Sequence, residues 1–166
     1  MGSTLSQLLA QRHPELISSL TLFGYWYDCD QVIPSDQEDN QLQNIVNTAE
    51  AAASDFITPG SISQKGIAAY VDMALTADPI KADWRNLDHY NELDPGKINI
   101  PCLIIQGEFD PIGPTEKQAK LYMRLGTSHK QWVTVPGGDH AAFMETPRAY
   151  FIHVLVSFLD GITEVK

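Results

Sequence analysis

Apolar residues recur along this chain either at helical spacing or in short continuous runs, and the two patterns alternate. Residues 3–13 place leucines on one helical face, and residues 19–23 form a short strand that ends at Gly24. A continuous apolar run at 101–106 predicts a strand covered on both faces. A helix at about 114–125, a strand at about 130–135 and a helix at about 147–159 follow. The alternation predicts an α/β fold with a mostly parallel sheet and helices on both faces.

The stretch between the first two predicted strands, residues 25–95, is polar and acidic. Its helical periods fall at about 37–55 and 62–76, with a weaker one near 80–92. Prolines separate these periods. We therefore interpret residues 25–95 as a helical insertion, and residues 1–24 with 96–166 as the core of a single domain.

The composition of the chain argues against several classes of partner and cofactor. The formal net charge of −10 argues against a nucleic-acid partner or an anionic membrane surface, because both require clustered basic residues. There is no apolar run of about 18 residues and no secretory leader pattern, so we expect no membrane span and a cytoplasmic location. Cys29 and Cys102 fit neither a disulfide framework nor a metal motif. The glycines form no dinucleotide-binding fingerprint, and no cofactor is expected.

An acid and a base follow the second and third predicted strands. Asp110 lies just beyond the second strand, and His140 lies beyond the third, behind two glycines. Parallel sheets collect functional loops at the carboxyl ends of their strands, so these side chains are expected to lie close together. A carboxylate there can orient an imidazole that moves protons. Taken singly, Asp110 also suits a helix cap and His140 an exposed loop, but their joint placement favours a catalytic pair.

The other histidines carry weaker signals. His13 lies at a helix end, His89 in the insertion and His153 on the last helix. One combination of loop side chains offers ligands for a metal, namely Glu108, His129, Asp139 and His140. Their spacing matches no recognised ligand motif, so we predict no metal site.

Three short motifs near the start of the chain resemble a known family. They are Met1-Gly2-Ser3-Thr4-Leu5, the stretch LAQRHPE at 9–15, and Leu20-Thr21-Leu22-Phe23-Gly24. With GEFDP at 107–111 and GGDH at 137–140, they resemble the C-terminal portion of an α/β-hydrolase fold protein, over nearly the whole chain. The resemblance implies that Asp110 is the acid and His140 the base of a Ser-His-Asp triad. It also implies that residues 25–95 form a helical cap, and that the fold is partial.

The same resemblance indicates where the nucleophile belongs. The family's elbow commonly runs Gly-x-Ser-Met-Gly-Gly, so Met1 and Gly2 match its remnant, and Met1 would carry one oxyanion N–H. Ser3 takes the place of the last elbow glycine, while Ser61 and Ser63 lack the glycine that closes the turn. We therefore expect the serine to precede this chain. The chain alone is expected to be inactive, because losing a triad serine removes roughly 10⁶-fold in turnover.

Aromatic residues after the first strand suggest a substrate pocket. Tyr25, Trp26 and Tyr27 are predicted to line an apolar site at the strand's end. Four residues of the insertion either join them or pack the insertion against the core, namely Phe56, Tyr70, Met73 and Trp84. The resemblance implies a small-molecule carboxylic ester or similar acyl substrate.

Two other interpretations of the sequence stay open. In the first, the chain is one half of a split enzyme and requires a complementary N-terminal half. In the second, it is a non-catalytic binding or oligomerisation module. Its edge strand near residues 19–23 would then pair with another chain, because an uncovered parallel edge is an open template.

Overall fold

Strands and helices alternate along the chain on either side of the long stretch at 25–95. The computed structural model describes residues 1–35, 44–81 and 86–163. The strands are β1 (Leu20–Phe23), β2 (Cys102–Gly107) and β3 (Lys130–Val135). The helices are α1 (Gly2–Arg12), α2 (Ala49–Ala53), α3 (Gln64–Ala77), α4 (Thr115–Arg124) and α5 (Arg148–Thr163). Short 3₁₀ helices occupy Pro14–Leu16, Leu87–Glu92 and Pro95–Lys97.

The three strands form one parallel sheet in the order β1-β2-β3. The register pairs Leu22 with Ile104 and Ile104 with Trp132. Every residue of β2 is buried, because this strand has a neighbour on each side and helices above and below. The α/β class with a parallel sheet is thus confirmed, and the parallel strands bring the β2–α4 and β3–α5 loops to the same edge of the sheet.

Alternate residues of β2 build a separate core on each face of the sheet. Cys102 and Ile104 pack with Leu121 of α4 and with Ala10 of α1. Leu103 and Ile105 point to the opposite face, where α5 supplies aromatic and aliphatic side chains, namely Phe151, Phe158 and Ile162. This arrangement explains why β2 is a continuous apolar run, since neither face of the strand meets water.

The insertion differs most from its sequence pattern. The period at 37–55 yields the short helix α2, with residues 36–43 outside the described part of the chain. The period near 80–92 yields a 3₁₀ helix, Leu87–Glu92, after the left-handed residue Asn86 (φ 56°), and residues 82–85 lie outside the description. Among the described residues, no helix combines the length and apolar character that a membrane crossing requires.

Candidate active site

Asp110 and His140 meet at the carboxyl edge of the sheet. Their loops follow the adjacent strands β2 and β3, and Asp110 Oδ2 lies 3.1 Å from His140 Nδ1. The Asp110 side chain is wholly buried, while 32 % of the His140 side chain is exposed. A buried carboxylate against one ring nitrogen leaves the other nitrogen, Nε2, for a reaction partner.

The second oxygen of Asp110 is held by its own loop. Asp110 Oδ1 accepts hydrogen bonds from the N–H groups of Ile112 (2.9 Å) and Gly113 (3.2 Å). Burial alone would raise the pKa of this carboxyl, but the His140 hydrogen bond, its charge and these two amides outweigh burial and lower the pKa. Asp110 does not cap α4, whose N-cap residue is Pro114 without a side-chain hydrogen bond. The carboxylate therefore serves the histidine and the turn.

Glycine at position 24 makes room for the imidazole. Gly24 ends β1 with φ +60°, and a Cβ added there would lie 2.5 Å from His140 Cε1. The Phe23 ring stacks on the His140 ring at a centroid distance of 6.2 Å. The end of β1 thus packs directly on the histidine, which explains a glycine that the sequence indicated only as a strand terminator.

The loop that carries His140 is fastened to the loop after β2. Glu108 Oε2 accepts the Gly137 N–H at 2.8 Å, and the Phe109 N–H donates to the Gly138 carbonyl at 2.9 Å. Gly107 lets the two loops approach, because a Cβ there would lie 2.3 Å from the Asp139 carbonyl oxygen. The two loops therefore form one tightly connected unit.

Two buried acids, Asp139 and Glu145, lie beside the histidine. From the sequence, Asp139 was considered only as a metal ligand, and Glu145 was not considered. Asp139 is completely buried, and its N–H donates to Glu145 Oε2 at 3.0 Å. Burial raises the pKa of Glu145, although the Ser61 hydroxyl and the Asp139 amide oppose that rise. The only available signal in the sequence was two acids flanking a candidate base, which is also common at an exposed loop.

A cavity of about 440 Å³ opens beside His140. Its lining comes from α1, the end of β1, the insertion and the His140 loop, and includes Met1, Gly2, Ser3, Phe23, Gly24, Asp55, Tyr70, His140, Ala141, Phe143 and Met144. Met1 and Gly2, the predicted elbow remnant, therefore border the same space as the histidine. The lining combines apolar side chains, among them Phe23 and Phe143, with a few polar ones, among them Asp55 and His140, as small-molecule sites commonly do.

A second cavity, of about 620 Å³, lies within the insertion between α2 and α3. It shares two lining residues with the first cavity, Asp55 and Tyr70, whose hydroxyl donates to Asp55 Oδ2 at 2.9 Å. Met73, for which the sequence favoured packing of the insertion against the core over a place in the pocket, lines this second cavity. Phe56 packs edge-on against Tyr70 at 5.0 Å. Trp84 lies outside the described residues.

The three aromatic residues predicted to line the pocket lie elsewhere. Tyr25 is fully buried and Tyr27 is 4 % exposed, both within the core on the α1 and α4 side of the sheet. Trp26 packs against this core and meets Tyr90 edge-on at 5.7 Å. None of the three lines the cavity at His140, because the chain after Gly24 turns under α4, where Gln118 Nε2 donates to the Tyr25 carbonyl.

The serines of interest are engaged away from the imidazole. Ser3 lines the cavity, but its hydroxyl donates to the Phe23 carbonyl. Ser63 caps α3 by accepting the Gly66 N–H at 3.1 Å, and the buried Ser61 hydroxyl lies beside the Glu145 carboxyl. No hydrogen bond joins a serine to His140 among the described residues.

The candidate metal ligands are dispersed. The His129 ring packs on Phe158 of α5, and Glu108 binds the Gly137 amide. In the ranges that the structure covers, no group of three His, Cys, Asp or Glu side chains is placed to hold a metal ion.

A parallel sheet with an acid after one strand and a base after the next is the arrangement of an α/β hydrolase. Residues 1–147 match the family model described as serine aminopeptidase S33, and the chain belongs to this family of hydrolases. Among curated proteins, no sequence relative matches.

Solved structures with similar folds include several hydrolases. A thermophilic esterase superposes with a TM-score of 0.67 at 21 % identity, over 96 % of this chain and 63 % of its own. A thermophilic esterase from Thermogutta terrifontis gives 0.66 at 16 % identity, over 97 % and 62 % of the two chains. A serine hydrolase involved in carbazole degradation gives 0.64 at 19 %, over 96 % and 60 %. This chain therefore spans less than two thirds of each of these structures.

Proposed function

We propose that this chain supplies the acid and base of a serine hydrolase that cleaves carboxylic esters or similar acyl compounds. Asp110 is the triad acid and His140 is the triad base. The observation that carries the proposal is the 3.1 Å contact between a wholly buried carboxylate and an imidazole that borders a cavity. Membership of a hydrolase family supports the same assignment.

The proposed chemistry follows from which atoms are occupied. Asp110 Oδ2 holds the His140 Nδ1–H, so Nε2 carries a lone pair that accepts the proton of a serine hydroxyl as the hydroxyl attacks the acyl carbon. The imidazolium that forms is stabilised by Asp110, and it then protonates the leaving alkoxide. Water repeats the sequence on the acyl-enzyme and regenerates the serine.

The nucleophile in this proposal comes from polypeptide that the present sequence does not contain. Met1 and Gly2 border the cavity at His140, where the residues after a nucleophilic serine belong. The backbone N–H of Met1, within a peptide bond to such a serine, would donate to the oxyanion of the tetrahedral intermediate. Residues 25–95 act as the cap over the site, since Asp55 and Tyr70 border the same cavity.

A reconstitution experiment tests this function. The chain is mixed or co-expressed with the N-terminal portion of a related esterase that ends in the Gly-x-Ser turn, and release of p-nitrophenol from short acyl esters is measured. We expect hydrolysis only in the mixture, and a loss of about 10³-fold or more with His140→Ala.

His153→Ala is the matched control, because His153 is an exposed histidine on α5. Its rate should equal that of the unmodified mixture. Hydrolysis that survives His140→Ala would contradict the assignment of the base. A properly folded mixture that gains no activity would contradict the proposal that the chain completes a hydrolase.

One observation supports a second candidate, pairing through the sheet edge. β1 has β2 on one side, and no other strand among the described residues lies on its outer side. We propose that this edge receives a strand from the complementary portion of the fold or from a second copy of this chain. Light scattering separates the cases, since self-association gives a dimer of the chain alone.

A further inference from the structure

The carboxylate of Asp139 binds two separate parts of the molecule at once. Oδ1 accepts the Ala141 N–H at 2.9 Å, within the His140 loop. Oδ2 accepts the N–H groups of Ile57 at 3.0 Å and Thr58 at 2.6 Å, which belong to the insertion. The side chain has no solvent exposure. Three amide donors around one buried carboxylate make strong, charge-assisted hydrogen bonds.

Further contacts join the same two segments on either side of Asp139. Thr146 donates its N–H (2.8 Å) and its hydroxyl (2.7 Å) to the Ser61 carbonyl. Glu145 accepts the Asp139 N–H, so the backbone of the bridging residue is also fixed. Residues 57–61 of the insertion and residues 139–146 therefore form a connected unit, which we name the Asp139 clamp.

The clamp lies next to the candidate base in sequence and in space. The Ala141 N–H that Oδ1 binds lies in the peptide after His140. The Asp139 carbonyl, in the peptide before His140, accepts the Ala142 N–H at 3.3 Å, so the peptide units on both sides of the histidine are held. Asp55 and Tyr70, near the insertion's end of the clamp, border the cavity that His140 borders. A displacement of residues 57–58 would therefore be transmitted to the His140 imidazole through the Asp139 carboxylate.

We infer that Asp139 is a positioning residue that couples the placement of the insertion over the site to the orientation of His140 toward Asp110. With the insertion in place, the carboxylate is fully bound and the imidazole is held at hydrogen-bond distance from Asp110. With the insertion displaced, Oδ2 loses both donors and the loop around His140 is released. This inference rests on the proposed function, since the orientation of His140 matters only if the imidazole transfers protons.

Asp139→Asn tests the coupling in the full chain without any turnover. The asparagine keeps the shape, but its NH₂ group meets amide donors where an oxygen stood, so at least one hydrogen bond becomes a donor–donor contact. The NH₂ group can face either set of donors, so amide hydrogen exchange should accelerate at Ala141 or at Ile57 and Thr58. The expected acceleration is about tenfold or more, as when a hydrogen bond to a charged group is lost. Asp72→Asn, at an exposed carboxylate on α3, is the matched control and should leave these rates unchanged.

The second readout is the titration of the Asp110 carboxyl, followed by ¹³C NMR. A released His140 loop weakens the hydrogen bond that lowers the pKa of Asp110, so the titration midpoint should rise in Asp139→Asn. Loss of a nearby negative charge alone would move that midpoint downward. A purely structural or purely electrostatic role of Asp139 therefore does not give the expected sign.

The two measurements on Asp139→Asn together distinguish support for the coupling from its failure. Faster exchange at Ala141 or at Ile57 and Thr58, together with a raised Asp110 midpoint, supports the coupling. Unchanged exchange at all three amides overturns the clamp, and faster exchange with an unmoved or lowered Asp110 midpoint overturns the positioning role.

If Asp139→Asn does not fold, the unmodified chain provides the test. Its Ile57, Thr58 and Ala141 amides should share one protection factor and one urea dependence, because one carboxylate holds all three. Independent exchange of the three amides would overturn the inference. None of these measurements uses hydrolysis, so a failed reconstitution would count against the proposed function and leave the clamp standing.

Discussion

Each residue of the Asp110–His140 pair is fixed by a different kind of contact. Asp110 is held by hydrogen bonds to both of its carboxylate oxygens. The His140 ring instead occupies the space that glycine leaves at position 24, and it stacks on the ring of Phe23. The contact with Gly24 shows that the strand preceding the insertion takes part in shaping the site. A single methyl group at that position is therefore expected to disturb the pair.

Gly24→Ala should displace the imidazole and destabilise the fold. The left-handed φ of +60° costs an alanine about 1–2 kcal/mol, and the Cβ would collide with His140 Cε1 at 2.5 Å. Gly137→Ala is the matched control, since it has φ +71° and no heavy atom within 4 Å of the added Cβ. Urea unfolding and the His140 ring chemical shifts measure both effects. Equal stability losses with unmoved His140 shifts in both variants would contradict the proposed packing.

The lowered pKa of Asp110 makes stability depend on pH in a defined direction. A carboxyl whose pKa is lower in the folded state stabilises that state above its unfolded pKa of 3.8, and this contribution is lost as pH falls through the folded value. We expect the free energy of unfolding of the unmodified chain to exceed that of Asp110→Asn near neutral pH. The difference should shrink below about pH 4 in urea titrations. A difference that stays constant over this range would show that the pKa of Asp110 is not lowered on folding.

At the scale of elements, the site depends on how closely two loops approach. The β2–α4 and β3–α5 loops touch at Gly107, where the end of β2 meets the backbone of Asp139. The hydrogen bonds of Glu108 and Phe109 then extend that contact along the loop. Any side chain at position 107 must push the acid and the base apart.

Gly107→Ala is expected to cost about 1–3 kcal/mol of stability, the usual effect of overpacking at a site that cannot yield. The obstacle is backbone, since the added Cβ would lie 2.3 Å from the Asp139 carbonyl oxygen. The comparison variant is Gly161→Ala on α5, where nothing lies within 4 Å. It should instead stabilise the protein by roughly 0.5–1 kcal/mol, as expected for replacing a helical glycine. Thermal unfolding of both variants checks the opposite signs, and a neutral Gly107→Ala would contradict the close approach.

The elements of the core were predictable because their patterns have one physical cause each. β2 is apolar throughout since both of its faces are covered. Helix α1 was predicted from leucines at helical spacing, but its buried residues are Thr4, Gln7 and Ala10, and Leu5 and Leu9 are exposed. The insertion was harder to predict because the apolar positions there serve small local contacts. The period near 80–92 therefore gives a 3₁₀ helix, and residues 82–85 lie outside the described chain.

Across the whole molecule, the candidate site combines features that the sequence could and could not reveal. The proximity of Asp110 and His140 follows from the order of parallel strands, which hydrophobic runs disclose. The clamp through Asp139 joins residues 82 positions apart, and no local pattern encodes that pairing. Tyr25 was predicted to line the pocket, whereas the structure buries it in the core. An aromatic residue that follows a strand gives the same sequence pattern in either position.

The most direct test of the account is the tautomer of His140, measured by ¹⁵N NMR above about pH 8, where an ordinary imidazole is neutral. The hydrogen bond from Nδ1 to Asp110 requires the proton on Nδ1 and leaves the lone pair of Nε2 free. The account requires the Nδ1–H form to predominate in the unmodified chain and to lose that predominance in Asp110→Asn. A predominant Nε2–H form in the unmodified chain, or a tautomer ratio that is unchanged in Asp110→Asn, would contradict this account.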